Sequence, residues 1–421
     1  MNDYTEKFER IHPQTLFSRL AVESQSFVRE KAIHHRFTLQ ELRTVAEIAR
    51  DLEIWNEASI EQIWPAETSS PDRETKRLLL ASLTNHWQRL REAPNSYAAF
   101  EKEGAGQGQR ILFGERKKGA LGLGGCPVAS PRTRCCNLLT LDAVENCGFD
   151  CSYCSIQSFY HGDRINFDPD FAARLAALEL DPGQIYHIGT GQSSDSLMWG
   201  NRGGVLDALL AFARVHPNVI LEFKTKSKNV AHLLRSELPP NLICTWSLNT
   251  QTIIKHEEHL TASLEERLDA AQRVAEKGAL VGFHLHPMIH YDRWREEYAA
   301  LFEAMLSRFD AGQVALVSLG TLTFIKPVIK QIREREFRSK ILQMPLVETA
   351  GKWSYPERIK LEMFQHASTS LAPWRDKVFF YLCMEPAALW APVFGYDYPH
   401  NAAFEAAMKS HYMAKIDALR S

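Results

Sequence analysis

The sequence predicts an α/β protein built around a parallel sheet, preceded by a helical region and followed by a mixed cap. Three observations predict it. Up to about residue 100, apolar residues recur at helical spacing behind capping signatures. From Cys136 to about residue 340, short apolar runs alternate six times with helical stretches, the rhythm of βα units. Beyond residue 340 that rhythm stops, although apolar and aromatic residues continue. The expected organisation is residues 1–110 helical, 111–340 the βα array and 341–421 the cap.

In the first region, "TLQELRTVAEIARDLEIW" opens with a capping box, Thr38 and Glu41, and "SIEQIW" with a second, Ser59 and Gln62, before Pro65. "ETKRLLLASLTNHWQRLREA" predicts another helix, and the glycines of "NSYAAFEKEGAGQGQR" place a boundary between residues 104 and 120. The six strand candidates are "CNLLTLDAV", "QIYHIGTG", "VILEFKTK", "LICTWSLNT", "LVGFHLHPMI" and "VALVSLGTLTF". Each is followed by a helical stretch; the one after the fourth opens with a capping box, Ser263 and Glu266, and stops at Gly278. Six such units can close partly into a barrel or spread as a doubly wound sheet, and periodicity alone leaves both open.

Composition sets limits. The chain of 421 residues is 45% hydrophobic and 24% charged, which suits a globular protein with a large core. A formal net charge of -2 argues against non-specific nucleic-acid binding through bulk charge, though not against a local basic groove. No apolar run is long enough to span a bilayer, so no membrane association is expected. The polar start "MNDYTEKFERIHPQ" is not a secretory signal, and the expected compartment is cytoplasmic. There, clustered cysteines serve as metal ligands or reactive thiols more often than as disulfides.

In a parallel βα array, functional groups gather at the C-terminal ends of the strands. Five successive ends are polar here. After the first come Cys147, Cys151 and Cys154; after the second, Gln192, Ser193, Ser194 and Asp195. The third carries Lys224 and Lys226, the fourth Ser247 and Asn249, and the fifth His284, His286 and His290. One or two polar ends arise by chance; five in a row predict a single active-site mouth. Three thiolates in "ENCGFDCSYC" can hold metal in two main ways. Zinc would need a fourth ligand, such as Cys126, Cys135, Cys136 or His161. An iron–sulfur cube held by three thiolates instead leaves one iron open to a small molecule.

The form C-x3-C-x2-C, with Tyr153 before the last cysteine, resembles the radical S-adenosylmethionine superfamily. The resemblance implies a partial, TIM-like (βα)6 barrel. It also implies a [4Fe–4S] cluster on Cys147, Cys151 and Cys154, whose open iron chelates S-adenosyl-L-methionine for cleavage to a 5′-deoxyadenosyl radical. The electron would come from a one-electron reductant such as flavodoxin or ferredoxin. Within that superfamily "CSYCSIQ", "QSSDS", "EFKTKSKNV", "WSLNTQTIIKHEEHLTASLEERLDAAQRVAEKG" and "VGFHLHPMIHYDRW" resemble spore photoproduct lyases in order and spacing, from about Cys126 to about residue 340. That family repairs a thymine dimer in DNA, so ultraviolet-damaged DNA is the implied substrate. The same matching implies that Ser194, Lys226 and Ser247 contact S-adenosylmethionine. Their hydroxyl and ammonium groups suit a ribose and a carboxylate; the plainer alternatives are helix caps and a solvated lysine.

The chain departs from the family at two positions. Where the family carries a hydrogen-donating cysteine, this sequence has Gln192, and a relay tyrosine after the last cluster cysteine is Ser155. Tyr153, the other relay tyrosine, is retained. Cys383 in "VFFYLCMEPAALW" is the expected substitute donor, against the plainer reading of a core cysteine. Cys244 is expected in the core, and Cys135 and Cys136 near the cluster entrance. The basic "KPVIKQIREREFRSK" reads first as a solvated amphipathic helix and second as a phosphate track. Two other functions stay open: a radical enzyme for a modified nucleotide or small metabolite, and a zinc-stabilised nucleic-acid binding protein.

Overall fold

The computed structural model describes residues 4–66, 72–100, 111–117, 123–126, 133–156, 164–349 and 351–420. His161, Gln157 of the "CSYCSIQ" motif and much of the expected 104–120 boundary lie outside the described residues. The chain forms two compact units: Met1–Gln107 with His290–Asp292 and Phe324–Pro356, and Gly108–Ile289 with Arg293–Thr323 and Glu357–Ser421.

The first unit is mainly helical. Its helices span Tyr4–Ile11, Val22–His35, Leu39–Trp55, Ile60–Ile63, Arg73–Glu92 and Lys326–Glu334. The expected capping boxes stand at Thr38–Glu41 and Ser59–Gln62. Phe8, Val28, Phe37, Leu42, Val45 and Leu52 centre its core. Within it, Arg333 of the basic stretch makes a bidentate pair with buried Asp51, both contacts 2.8 Å, and a 2.9 Å contact to Glu47. That arginine is therefore committed to a carboxylate pair, while Lys330 lies 3.7 Å from Glu334.

The second unit carries the barrel. Its parallel strands are β1 (Leu139–Leu141), β2 (Tyr186–Thr190), β3 (Val219–Thr225), β4 (Leu242–Ser247), β5 (Leu280–Met288), β6 (Val314–Thr321) and β7 (Phe379–Leu382). They lie in sequential order, with Gly124–Gly125 pairing antiparallel on the outer edge of β1. A doubly wound sheet reverses its strand order at a switch point. This order never reverses, and among the described residues its two edges do not pair with each other, so the sheet is an open half-barrel. β7 was not expected in the barrel. It extends the sheet from the supposed cap, pairing Leu319 with Leu382 after the helix Glu357–Ser370.

Burial explains the strands. β4 and β6 are buried along their whole length and β3 at all but Lys224, as expected for a parallel sheet covered by helices. Helices Val205–Val215 and Leu264–Glu276 each bury an apolar face, the second behind the expected capping box at Ser263 and Glu266. The helix Asn401–Arg420 buries Phe404, Met408, Tyr412 and Ile416, one side of four successive turns, and sets Tyr412 edge-on to His187 of β2 at 5.5 Å. No helix among the described residues is long and apolar enough to cross a membrane.

Candidate active site

A cavity of about 230 Å³ opens at the C-terminal ends of the strands. Cys147, Cys151, Cys154, Tyr153, Ser194, Lys226, Ser247 and Cys383 border it, whereas Ser193, Asn249 and His290 of the polar strand ends are not among its lining residues.

The cysteine loop is held in place by the polar segment after β4. Asp150–Cys151 pairs antiparallel with Glu258–His259. The Ser152 amide donates to the Glu257 carbonyl at 2.8 Å, and the Ser152 hydroxyl bonds the Glu257 carboxylate. Gly148 is required by close approach: a Cβ there would meet the Trp199 ring at 2.6 Å and Met198 at 2.7 Å. Burial pushes the Cys147 and Cys151 thiols well above their ordinary values, and each is affected by the charge of its neighbours in the trio. Among the described residues, no three His, Cys, Asp or Glu side chains close on one point as a single-ion cage. The three thiols border one cavity, and thiolates are the usual ligands of an iron–sulfur cluster.

Glu258 anchors the next layer and is almost fully buried. It accepts from Arg267 at 2.5 Å and from Lys226 at 3.1 Å, and it bonds the Tyr153 hydroxyl. Burial alone would raise its pKa, but the charges of Arg267 and Lys226 outweigh that and hold it at about 2. Arg267, with no exposed surface, also donates to the carbonyls of Ser247 at 2.8 Å and Ala262 at 2.9 Å. One carboxylate thus ties the cysteine loop, the end of β3 and the end of β4 together. Sequence reasoning missed both residues because "HEEHLTASLEERL" looks like a solvated face. A signal was present: Arg267 falls on the stripe of Leu268, Ala271, Val274 and Ala275, which packs inward.

Asp195 organises the end of β2. Its carboxylate accepts from the amides of Leu197 at 3.0 Å, Met198 at 2.8 Å and Lys226 at 2.7 Å, and from the Thr225 hydroxyl at 2.7 Å. This bonding fixes Ser194 and Lys226 on neighbouring strand ends. Lys226 is not a free cation: its ammonium also lies 3.1 Å from the Tyr153 hydroxyl.

Cys383 follows β7, and its amide donates to the Leu319 carbonyl at 2.7 Å. It borders the cavity together with Gln192, Cys126 and Cys136. Burial pushes the Cys383 thiol up to about 12, so it is held as S–H. Cys135 and Cys136 share a hydrogen bond that lowers the first to about 6 and raises the second. Ser155 donates to the Thr323 carbonyl at 3.2 Å. Cys244 is fully buried in β4.

Known proteins resemble this arrangement. A family model described as spore photoproduct lyase matches residues 144–371. The spore photoproduct lyase of Geobacillus sp. (strain Y412MC61) is 28% identical over 210 residues, covering 47% of this chain and 60% of the relative. That of Clostridium acetobutylicum is 25% identical over 170 residues, covering 39% and 50%. The match thus spans about half the length of these relatives. A solved spore photoproduct lyase complexed with dinucleoside spore photoproduct superposes with TM-score 0.55 at 20% identity, covering 63% of this chain and 81% of that one. A variant with bound AdoMet and dinucleoside spore photoproduct gives TM-score 0.54 at 18% identity, covering 78% and 88%. At these identities the structural likeness is one of fold.

Proposed function

The chain belongs to the spore photoproduct lyase family, and from that premise we propose that it is a radical S-adenosylmethionine enzyme that acts on a thymine photoproduct in ultraviolet-damaged DNA. The observation that carries this reading is the convergence of the cysteine trio, Tyr153, Ser194, Lys226 and Ser247 on one cavity at the strand ends. Cys147, Cys151 and Cys154 would hold a [4Fe–4S] cluster, which with S-adenosylmethionine and a one-electron donor of the flavodoxin or ferredoxin kind would supply radical chemistry in this cavity.

The chain's own residues do the rest. Glu258 and Arg267 hold the cysteine loop against the ends of β3 and β4. Lys226 presents an ammonium for the cofactor's carboxylate, and Ser194 and Ser247 present hydroxyls. Tyr153, bonded to both Lys226 and Glu258, keeps its proton and sits beside the cluster ligands. Cys383 is the hydrogen-atom donor: its S–H lines the same cavity as the trio and Gln192. A thiol gives up a hydrogen atom to a carbon radical more readily than the Gln192 amide or the Ser155 hydroxyl does.

The test is an anaerobic assay with ultraviolet-irradiated spore-type DNA, dithionite and S-adenosylmethionine. The expected result is loss of photoproduct with formation of 5′-deoxyadenosine, both abolished by Cys151→Ala. Full cofactor cleavage by Cys151→Ala would remove the cluster assignment. Cofactor cleavage by the wild type without photoproduct loss would favour the modified-nucleotide or metabolite reading.

A further inference from the structure

Below the cofactor layer, the barrel interior holds a polar group that the proposed chemistry does not use. Alternation along β3 points Glu222, Lys224 and Lys226 to the same side. Lys226 belongs to the upper layer; Lys224 and Glu222 lie one and two steps deeper. The β5 residues His284 and His286 face the same cavity, as does His187 of β2. The Glu222 carboxylate is 2.8 Å from Nε2 of His187, 2.8 Å from Nε2 of His284 and 2.8 Å from the Thr245 hydroxyl. It is almost completely buried in the middle of an otherwise apolar run.

We propose that Lys224, His284 and His286 form a recognition subsite for an imide ring, the hydrogen-bonding edge of a thymine-type base, with Glu222 and His187 fixing its pattern. The proposal rests on the photoproduct reading of the same cavity and names the residues that select the base.

The hydrogen-bond inventory carries it. An imide edge offers acceptor, donor, acceptor, and needs donor, acceptor, donor in return. Glu222 accepts the Nε2 protons of both histidines, which leaves Nδ1 of a neutral His284 as a lone-pair acceptor. Nδ1 of His187 is buried with no partner among the described residues, and the bond that His284 makes to Glu222 uses its Nε2. Burial and the nearby Lys224 hold His284 neutral, with a pKa of about 4, and burial holds His286 neutral at about 3. A neutral His286 supplies one N–H donor. Its ring stacks over Gly320, where a Cβ would meet it at 2.6 Å, so the ring is seated without a side-chain bond. The Lys224 ammonium has no carboxylate partner among the described residues and is the second donor. Buried groups without partners are costly. The charge and tautomer pattern fits a neutral ring with two carbonyls flanking an N–H.

Ligand-detected NMR titrations test this on the anaerobically reconstituted, S-adenosylmethionine-loaded protein without reductant. The probes are 5,6-dihydrothymidine and its N3-methyl derivative. The N3-methyl probe should bind at least about tenfold more weakly, the loss expected from one unmet buried hydrogen bond. Lys224→Met should weaken the unmethylated probe by a similar factor. Equal binding of the two probes, no binding of either, or unchanged affinity in Lys224→Met overturns the subsite. Discrimination between the probes with no conversion of the dinucleoside photoproduct keeps the subsite and removes the photoproduct reading. Conversion without discrimination does the reverse.

Discussion

Replacing Glu258 by glutamine tests whether one buried carboxylate assembles the site. The side chain keeps its shape and loses its charge. In the native protein the carboxylate faces Arg267 at 2.5 Å and Lys226 at 3.1 Å, with Arg267 wholly buried. Removing one partner of a buried ion pair costs about 3–5 kcal/mol, because the other charge is left uncompensated. The amide oxygen can still accept from one donor, and Arg267 retains the carbonyls of Ser247 and Ala262. The loss should therefore fall near the lower end, about 3 kcal/mol.

Urea unfolding of the apoprotein measures it directly, independent of any cluster. The double variant Glu258→Gln/Arg267→Met removes both charges, and it should be more stable than the sum of the two single losses predicts, with a coupling of about 1–3 kcal/mol. A second readout is iron content after anaerobic reconstitution, since Glu258 pairs with Cys151 in the loop register. A loss below about 1 kcal/mol with full iron content would refute the argument, because the pair would then contribute no more than a surface salt bridge.

Three further outcomes are expected. Lys226→Ala should weaken S-adenosylmethionine binding by about 1.5–3 kcal/mol, the range of a hydrogen bond to a charged group, as read by equilibrium dialysis; unchanged binding would move the carboxylate site elsewhere. Cys383→Ala should still cleave cofactor but accumulate aberrantly quenched products by mass spectrometry, and clean repair would remove the thiol from the mechanism. Stability should fall between pH 6.5 and about 4: His284 is held down at about 4, so the unfolded chain binds its proton first as pH drops. Glu222, held well below its ordinary value by His187 and His284 despite its burial, acts in the same direction at the acid end. The loss amounts to a few kcal/mol, at about 1.4 kcal/mol per tenfold difference in proton affinity. Denaturant midpoints at pH 7 and pH 5 measure it; a His284→Gln variant with an undiminished slope would contradict the assignment.

Legibility followed the range of the interactions involved. The capping boxes at Thr38, Ser59 and Ser263 were readable because both partners lie within four residues. β2 to β6 were readable because a strand buried on both faces is a bounded apolar run. β7 was not: four residues, Phe379–Leu382, are too few for a period, and their place is set by pairing with Leu316–Leu319 more than sixty residues earlier. The site divided along the same line. The three cysteines are local in sequence, so their spacing alone singled them out. Cys383 was singled out only because Gln192 stands where a thiol was expected, and its place on the cavity wall depends on β7 joining the barrel. Glu258 and Arg267 escaped notice because a charged residue is assumed to face water until its partner is known, and here each is buried by the other. Glu222 carried a readable sign that was not used. An acid inside "VILEFKTK" has no water to face in a parallel strand, so it must meet donors from other strands; His187 of β2, Thr245 of β4 and His284 of β5 are those donors. A charged residue placed where burial is certain therefore predicts a partner, and in a barrel interior that partner lines the cavity.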